Sequence, residues 1–126
     1  MEKEFNYVIS NKKDLEAKGA ECSQEISEAL RAQSYKHSYN VFGRMQKCFE
    51  SPLTPLREVE ACMGREGGQL VSYGKTTEAI WITNLNSMAS CVDKCKDNDS
   101  ACLSNCFNTT MSKVYSDLKR FHDSLN

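Results

Sequence analysis

Cys91-Val92-Asp93-Lys94-Cys95-Lys96-Asp97-Asn98-Asp99-Ser100-Ala101-Cys102-Leu103-Ser104-Asn105-Cys106 is the stretch on which the fold turns. It holds two CX3C pairs, Cys91 with Cys95 and Cys102 with Cys106, facing each other across six residues of polar turn. Residues four apart on a helix share a face, so each pair lines up one helical turn apart. Asp97-Asn98-Asp99-Ser100 supplies the turn, and its last residues are suited to cap the helix that follows. In an antiparallel hairpin the outer cysteines oppose each other and so do the inner ones, which gives Cys91–Cys106 and Cys95–Cys102 as two rungs of a ladder. Two competitors stand beside this reading: four thiolates binding Zn²⁺ tetrahedrally, or buried free thiols. Zinc ribbons present CxxC knuckles in loops, and the x3 spacing inside amphipathic helices favours the ladder, so no metal ligand is assigned. Spacing alone does not fix the pairing among seven cysteines.

Working outward, Trp81, Leu85, Met88, Val92 and Cys95 recur at spacings of four, three, four and three, which predicts a helix from about 69 to 96 with that face in the core. Beyond the turn, Leu103, Phe107, Met111, Val114, Leu118, Phe121 and Leu125 give a helix from about 100 to 124 with a narrow apolar seam. Upstream, 12 to 50 reads as a long helix carrying one stripe of Leu15, Cys22, Ile26, Ala29 and Leu30 and another of Phe42, Met45 and Phe49. The polar aromatic run Tyr35 to Tyr39 and Gly43 predict a bend there. Ser51-Pro52-Leu53-Thr54-Pro55 punctuates the chain, with Thr54 as N-cap and Pro55 at the first helical position. The helix that starts there carries Leu56, Val59, Cys62 and Met63, and Gly64, Gly67 and Gly68 are expected to break or kink it. The fold class is all-α: one domain over 1–126, with a first hairpin and its N-terminal helix at 12–66 and a second hairpin at 69–126.

Hydrophobic residues at 40% and charged residues at 26% belong to a folded globular chain of 126 residues. Sixteen basic residues against seventeen acidic leave no field that would draw the whole chain to nucleic acid. No window approaches the apolar length of a membrane span. The opening residues Met1 to Ser10 lack the apolar core of a secretory signal and carry acidic residues unlike a transit peptide, so no presequence is expected. Seven cysteines are too many for an ordinary reduced cytosolic protein. An oxidising space reached without a signal peptide points to the mitochondrial intermembrane space.

Twin CX3C pairs at Cys91, Cys95, Cys102 and Cys106 resemble those of the small Tim chaperones of the mitochondrial intermembrane space. The chain is also similar to a longer relative, the two-hairpin family with sequence similarity 136, of which it looks like a degenerate version. That resemblance implies that Cys48 and Cys62 are the inner cysteines of a first hairpin. Their outer partners, four residues outward, are replaced together by Arg44 and Glu66, which leaves no orphan thiol and places an ion pair of small value where a rung would be. It further implies import by the disulfide relay of that compartment. Cys22, the seventh cysteine, reads as a small buried hydrophobe beside Ile26, with an intermolecular bridge or a reactive thiol as the alternative.

No catalytic constellation is assigned, and no cofactor. His37 and His122 are the two histidines, both expected at the surface. Asn98 and Asn108 begin glycosylation triplets, as a secreted protein would use, but Asn108 falls within a helix. Two functions remain. The chain is expected to be a non-enzymatic accessory subunit of a mitochondrial inner-membrane complex of respiratory-chain type, bound through protein partners on the intermembrane-space side. The alternative is a small Tim-type chaperone for hydrophobic precursors. The partner face expected is the apolar stripe left over by two hairpins, Val114, Leu118 and Phe121 with parts of the first helix.

Overall fold

The computed structural model describes residues 3–125, and every regular element among them is α-helical. The helices are α1 (Asp14–Ala29), α2 (Arg31–Lys47), α3 (Leu56–Asp93) and α4 (Ser100–Leu125). They share one core cluster, from Phe5 and Ile9 at the N-terminal end to Leu118 in α4.

α4 is the floor of the molecule. Leu103, Phe107, Met111, Val114 and Leu118 are buried along it, and Cys106, Thr110 and His122 widen the covered stripe beyond a single seam. That stripe is received on several sides, by α1, α2 and α3 and by the N-terminal residues. Val114 and Leu118 are 0% and 5% exposed, and Phe121 is half-buried against Tyr73. The stripe expected to be left for a partner is therefore consumed internally, because α1 and the N-terminal segment cover what two hairpins alone would leave bare.

Residues 3–9 form an extended strap. Phe5 and Ile9 are buried and Tyr7 is half-buried, whereas Glu4, Asn6 and Val8 face solvent, the period of two of an extended chain. Asn108 holds the strap on both sides of Tyr7: its Oδ1 accepts from the Tyr7 N–H at 2.9 Å and its Nδ2 donates to the Tyr7 carbonyl at 2.9 Å. The Ile9 N–H donates to Ser104 Oγ at 2.9 Å, and the Lys12 N–H to the Asp97 carbonyl at 3.0 Å. Tyr7 meets Phe107 edge-on at 5.4 Å and Phe5 meets Tyr115 at 6.5 Å. The Asn108 amide that a glycan would occupy is engaged with the strap.

The chain bends at Leu30, not near Tyr35 or Gly43. Leu30 has φ −105° and ψ 6°, and helical bonding resumes at once, with the Ser34 N–H donating to the Leu30 carbonyl at 3.0 Å. No glycine or proline marks the spot. Leu30 is buried with Ile26, and anchoring both in the core lets α1 lie on α4 while α2 turns along α3. Gly43 passes inside α2 without a break.

α3 runs unbroken through Gly64, Gly67 and Gly68 for 38 residues, about 57 Å at the helical rise. One helix is thus shared by the two hairpins. Glycine lowers helix propensity by about 1 kcal/mol per residue, but here tertiary bonds to α2 flank the glycines at Cys62 and Glu66. The start of α3 is one residue later than the reading of Thr54 and Pro55: Pro55, with ψ 140°, is the N-cap, and its carbonyl accepts from the Glu58 and Val59 N–H groups at 3.0 and 3.2 Å. The turn before α4 is capped as expected, Asp99 Oδ1 accepting from the Cys102 N–H at 3.2 Å. A polar clasp also joins the second hairpin, Asn84 Nδ2 donating to Asp117 Oδ2 at 3.1 Å. Burial raises the Asp117 carboxyl, but hydrogen bonds from Lys113 and Asn84 and the charges of Lys113 and Arg120 outweigh it and hold the group below its ordinary range.

Replacing Asn108 by alanine leaves the Tyr7 N–H and carbonyl without their partner, and about 1–3 kcal/mol of stability is expected to go with it. Denaturant unfolding measures the loss, and limited proteolysis should then cut within residues 3–9 first. Leu118→Asp is expected to unfold the chain outright.

Candidate functional site: the disulfide ladder and its ionic rung

Three bridges tie antiparallel helices together. Cys91–Cys106 and Cys95–Cys102 join α3 to the start of α4, and Cys48–Cys62 joins the end of α2 to the start of α3. These are the pairs named above. Each spans 5.8 Å between Cα atoms, a separation that facing helices offer without distortion. The two rungs of the second hairpin are stacked, with Cys95 Sγ 3.8 Å from Cys106 Sγ. The sulfurs of Cys95, Cys102 and Cys106 lie within 4.8 Å of one another, a spacing in which thiolates would hold a soft metal ion, but here all three are bridged.

One turn from Cys48–Cys62, where a fourth rung would lie, stand Arg44 and Glu66. Arg44 Nε donates to Glu66 Oε2 at 2.8 Å, and a second guanidinium nitrogen donates to Gln69 Oε1 at 2.5 Å. Gln69 Nε2 in turn donates to Glu66 Oε2 at 3.3 Å. The Glu66 side chain is only 14% exposed, so the arrangement is an ionic rung with its carboxylate largely out of water. Next to it Met45 Cε lies 3.8 Å from where a Cβ on Gly67 would be, an ordinary contact distance, so an alanine would fit there as well.

Cys22 is fully buried and free. Burial, with the Glu25 carboxylate nearby, pushes its thiol up to about 11, against a smaller opposing pull from the Tyr7 hydroxyl and Lys3. The strap residue Tyr7 thus sits over the one unpaired thiol, and that thiol is held in its unreactive protonated form.

The two histidines are not at the surface. His37 in α2 and His122 in α4 are 6% and 3% exposed and meet around Tyr73 of α3. The Tyr73 hydroxyl lies 3.0 Å from Ser34 Oγ and 2.5 Å from His122 Nε2. His122 Nδ1 is 2.7 Å from the Leu118 carbonyl oxygen, so that nitrogen carries the proton. His37 stacks on Tyr73 at 5.0 Å with its Nε2 buried and without a hydrogen-bond partner among the described residues. Burial first, then the charges of Arg44 and His122, depress the His37 imidazole. Sequence reasoning passed over the trio because Tyr73 is isolated in a polar stretch. The usable signal is that His37 falls four residues before Val41, on the face of α2 that α3 covers.

The fold and the bridges define a disulfide-bonded, all-α hairpin protein. The chain matches no protein-family model, no curated protein and no solved structure.

Two outcomes are expected. Because His37 is neutral in the fold and titrates lower there than at its ordinary 6.5, stability is complete above about pH 6.5 and falls as pH drops through the depressed folded value. His37→Phe, which keeps the stack on Tyr73, should remove that acid-side loss in urea midpoints followed against pH. With a thiol near 11, Cys22 should resist maleimide in the native oxidised chain and take up one label per chain on unfolding.

Proposed function

We propose that this chain is a non-enzymatic accessory subunit of a mitochondrial inner-membrane complex of respiratory-chain type, bound on the intermembrane-space side. One observation carries the reading: six of the seven cysteines pair as rungs between antiparallel helices, and Arg44 with Glu66 occupies the fourth rung position of a two-hairpin ladder. Bridges of this kind persist in a non-reducing compartment. They also suit import by a disulfide relay, since a reduced chain threads as a flexible polymer and oxidation then fixes the hairpins.

The ladder is structural in its chemistry. Closing a loop of some fifteen residues contributes about 3 kcal/mol in the chain-entropy model. Such a contribution holds an elongated shape, here a 38-residue helix with few buried residues of its own, which suits a protein that presents surface to other subunits.

Native electrophoresis of mitochondrial membranes tests the proposal: the chain is expected to co-migrate in fixed stoichiometry with a large inner-membrane complex. A soluble ring of hairpins that suppresses precursor aggregation would instead establish the chaperone. Loss of the Cys91–Cys106 rung, by serine at both positions, is expected to cost about 3 kcal/mol and to lower the chain's steady-state amount in the organelle.

A further inference from the structure

A run of uncovered apolar side chains lies on the outer side of α2 and continues over the tip of the first hairpin. Tyr35, Tyr39, Phe42 and Phe49 are between 56% and 79% exposed. Spacings of four and three put Tyr35, Tyr39 and Phe42 within about 40° of one line on α2, opposite the side that buries His37 and Val41 against the rest of the fold, and Phe49 follows in the turn just past the helix end. Phe42 and Phe49, which by sequence form a second apolar stripe with Met45, thus face outward. Beyond it Leu53, 89% exposed, and Leu56, 71% exposed, carry the apolar margin off the helix and around the turn. Gly43 leaves an open hollow between Tyr39 and Phe49.

Charge along α2 is basic, with Arg31 paired to Glu28 of α1 and Glu50 standing just beyond the helix end. α2 contains Arg31, Lys36, Arg44 and Lys47 and no acidic residue. Arg44 is engaged with Glu66, and Lys36 and Lys47 lie together along one flank of the aromatic line. Over residues 31–57 there are five basic residues and one acid, Glu50, in a chain whose net charge is −1. The rest of the molecule is correspondingly acidic, α1 above all, with Asp14, Glu16, Glu21, Glu25 and Glu28 against Lys18. The basic residues of α2 and its exposed aromatics thus lie at the same place, with the acidic Glu50, Glu58 and Glu60 further out around the hairpin tip.

From this coincidence we infer that α2 and the tip of the first hairpin dock on a membrane surface bearing anionic lipids. Aromatic and aliphatic side chains enter the headgroup boundary, and the flanking lysines extend to the phosphates along their aliphatic stems. A second copy of this chain fits the face poorly, because two α2 helices laid together bring basic residues against basic residues. A single partner helix would cover the line from Tyr35 to Phe49 but not the turn that carries Leu53, whereas a lipid surface accepts helix and turn alike. The inference goes beyond the accessory-subunit reading and does not depend on the mitochondrial assignment.

Vesicle flotation of the full oxidised chain tests it, using phosphatidylcholine alone and phosphatidylcholine with about one-third phosphatidylserine. Binding is expected on the anionic vesicles only, and to weaken as salt is raised. Lys36→Glu with Lys47→Glu should lower the partition coefficient about tenfold or more. Phe42→Ser with Phe49→Ser should do the same, and all four positions are exposed, so helix content by circular dichroism should not move. Lys94→Glu with Lys96→Glu makes the same change of net charge at the other hairpin and should leave binding unaltered. Binding to neither vesicle, equal binding to both, or equal losses in the two charge variants would overturn the inference. So would a dimer in the absence of lipid that Phe42→Ser dissolves.

Discussion

Everything in this molecule is referred to the covered stripe of α4, and the two stacked rungs at its base decide where α3 crosses it. Cys95–Cys102 and Cys91–Cys106 clamp the turn from Lys94 to Ser100, so that Val92 of α3 and Leu103 and Phe107 of α4 enter the core together. With that crossing fixed, α3 contributes length more than burial: Asn84 and Val92 are its fully covered residues, against eight in α4. A helix so exposed would gain little from packing, and the bridges supply the constraint that packing does not.

The remaining elements are held by different forces at different places. At the far end of α3, a disulfide and the ionic rung of Arg44 with Glu66 stand side by side. The covalent rung acts mainly by limiting the unfolded chain, whereas the ion pair acts in the folded state, where Glu66 needs its donors because little water reaches it. Around Tyr73 the closure is aromatic and polar, His37 stacking and His122 bonding to the phenol. Over Cys22 it is the strap, whose backbone groups are paired with α4 side chains in place of a neighbouring strand. The acidic α1 and the basic α2 meet at Leu30, so the bend also divides the surface by charge.

Such a build keeps its thiols and imidazoles inside the fold. The bridges tie helix to helix, the free thiol is buried and protonated, and of the buried histidines His122 bonds to Tyr73 and the Leu118 carbonyl while His37 stacks on Tyr73. Among the apolar side chains that reach solvent are the aromatics of α2 and the leucines of its turn, with Val8, Val71, Ile82 and Leu85 elsewhere.

The sequence by itself determined the all-α class and the hairpin at Asp97–Ser100 and offered Cys91–Cys106 and Cys95–Cys102 as its rungs, because these follow from local spacing, four residues to a turn and opposed positions across a short loop, whereas Cys48–Cys62 with Arg44 and Glu66 in place of a rung was an expectation from the family resemblance. It also placed Cys22 inside. The tertiary structure alone decided the break at Leu30, the passage of α3 through its glycines, the burial of His37 and His122, the covering of Val114 and Leu118 and the exposure of Phe42 and Phe49. Each of these depends on which other element lies against a given face. Periodicity shows that a helix has an apolar side, but two apolar lines on one helix compete for one core, and only the packing of α3 against α2 settles that His37 and Val41 go in and Tyr39 and Phe42 stay out. The strap was spelled out in Phe5, Tyr7 and Ile9, yet three alternating residues specify an extended segment only once Asn108 and Ser104, about a hundred positions away, offer it hydrogen bonds.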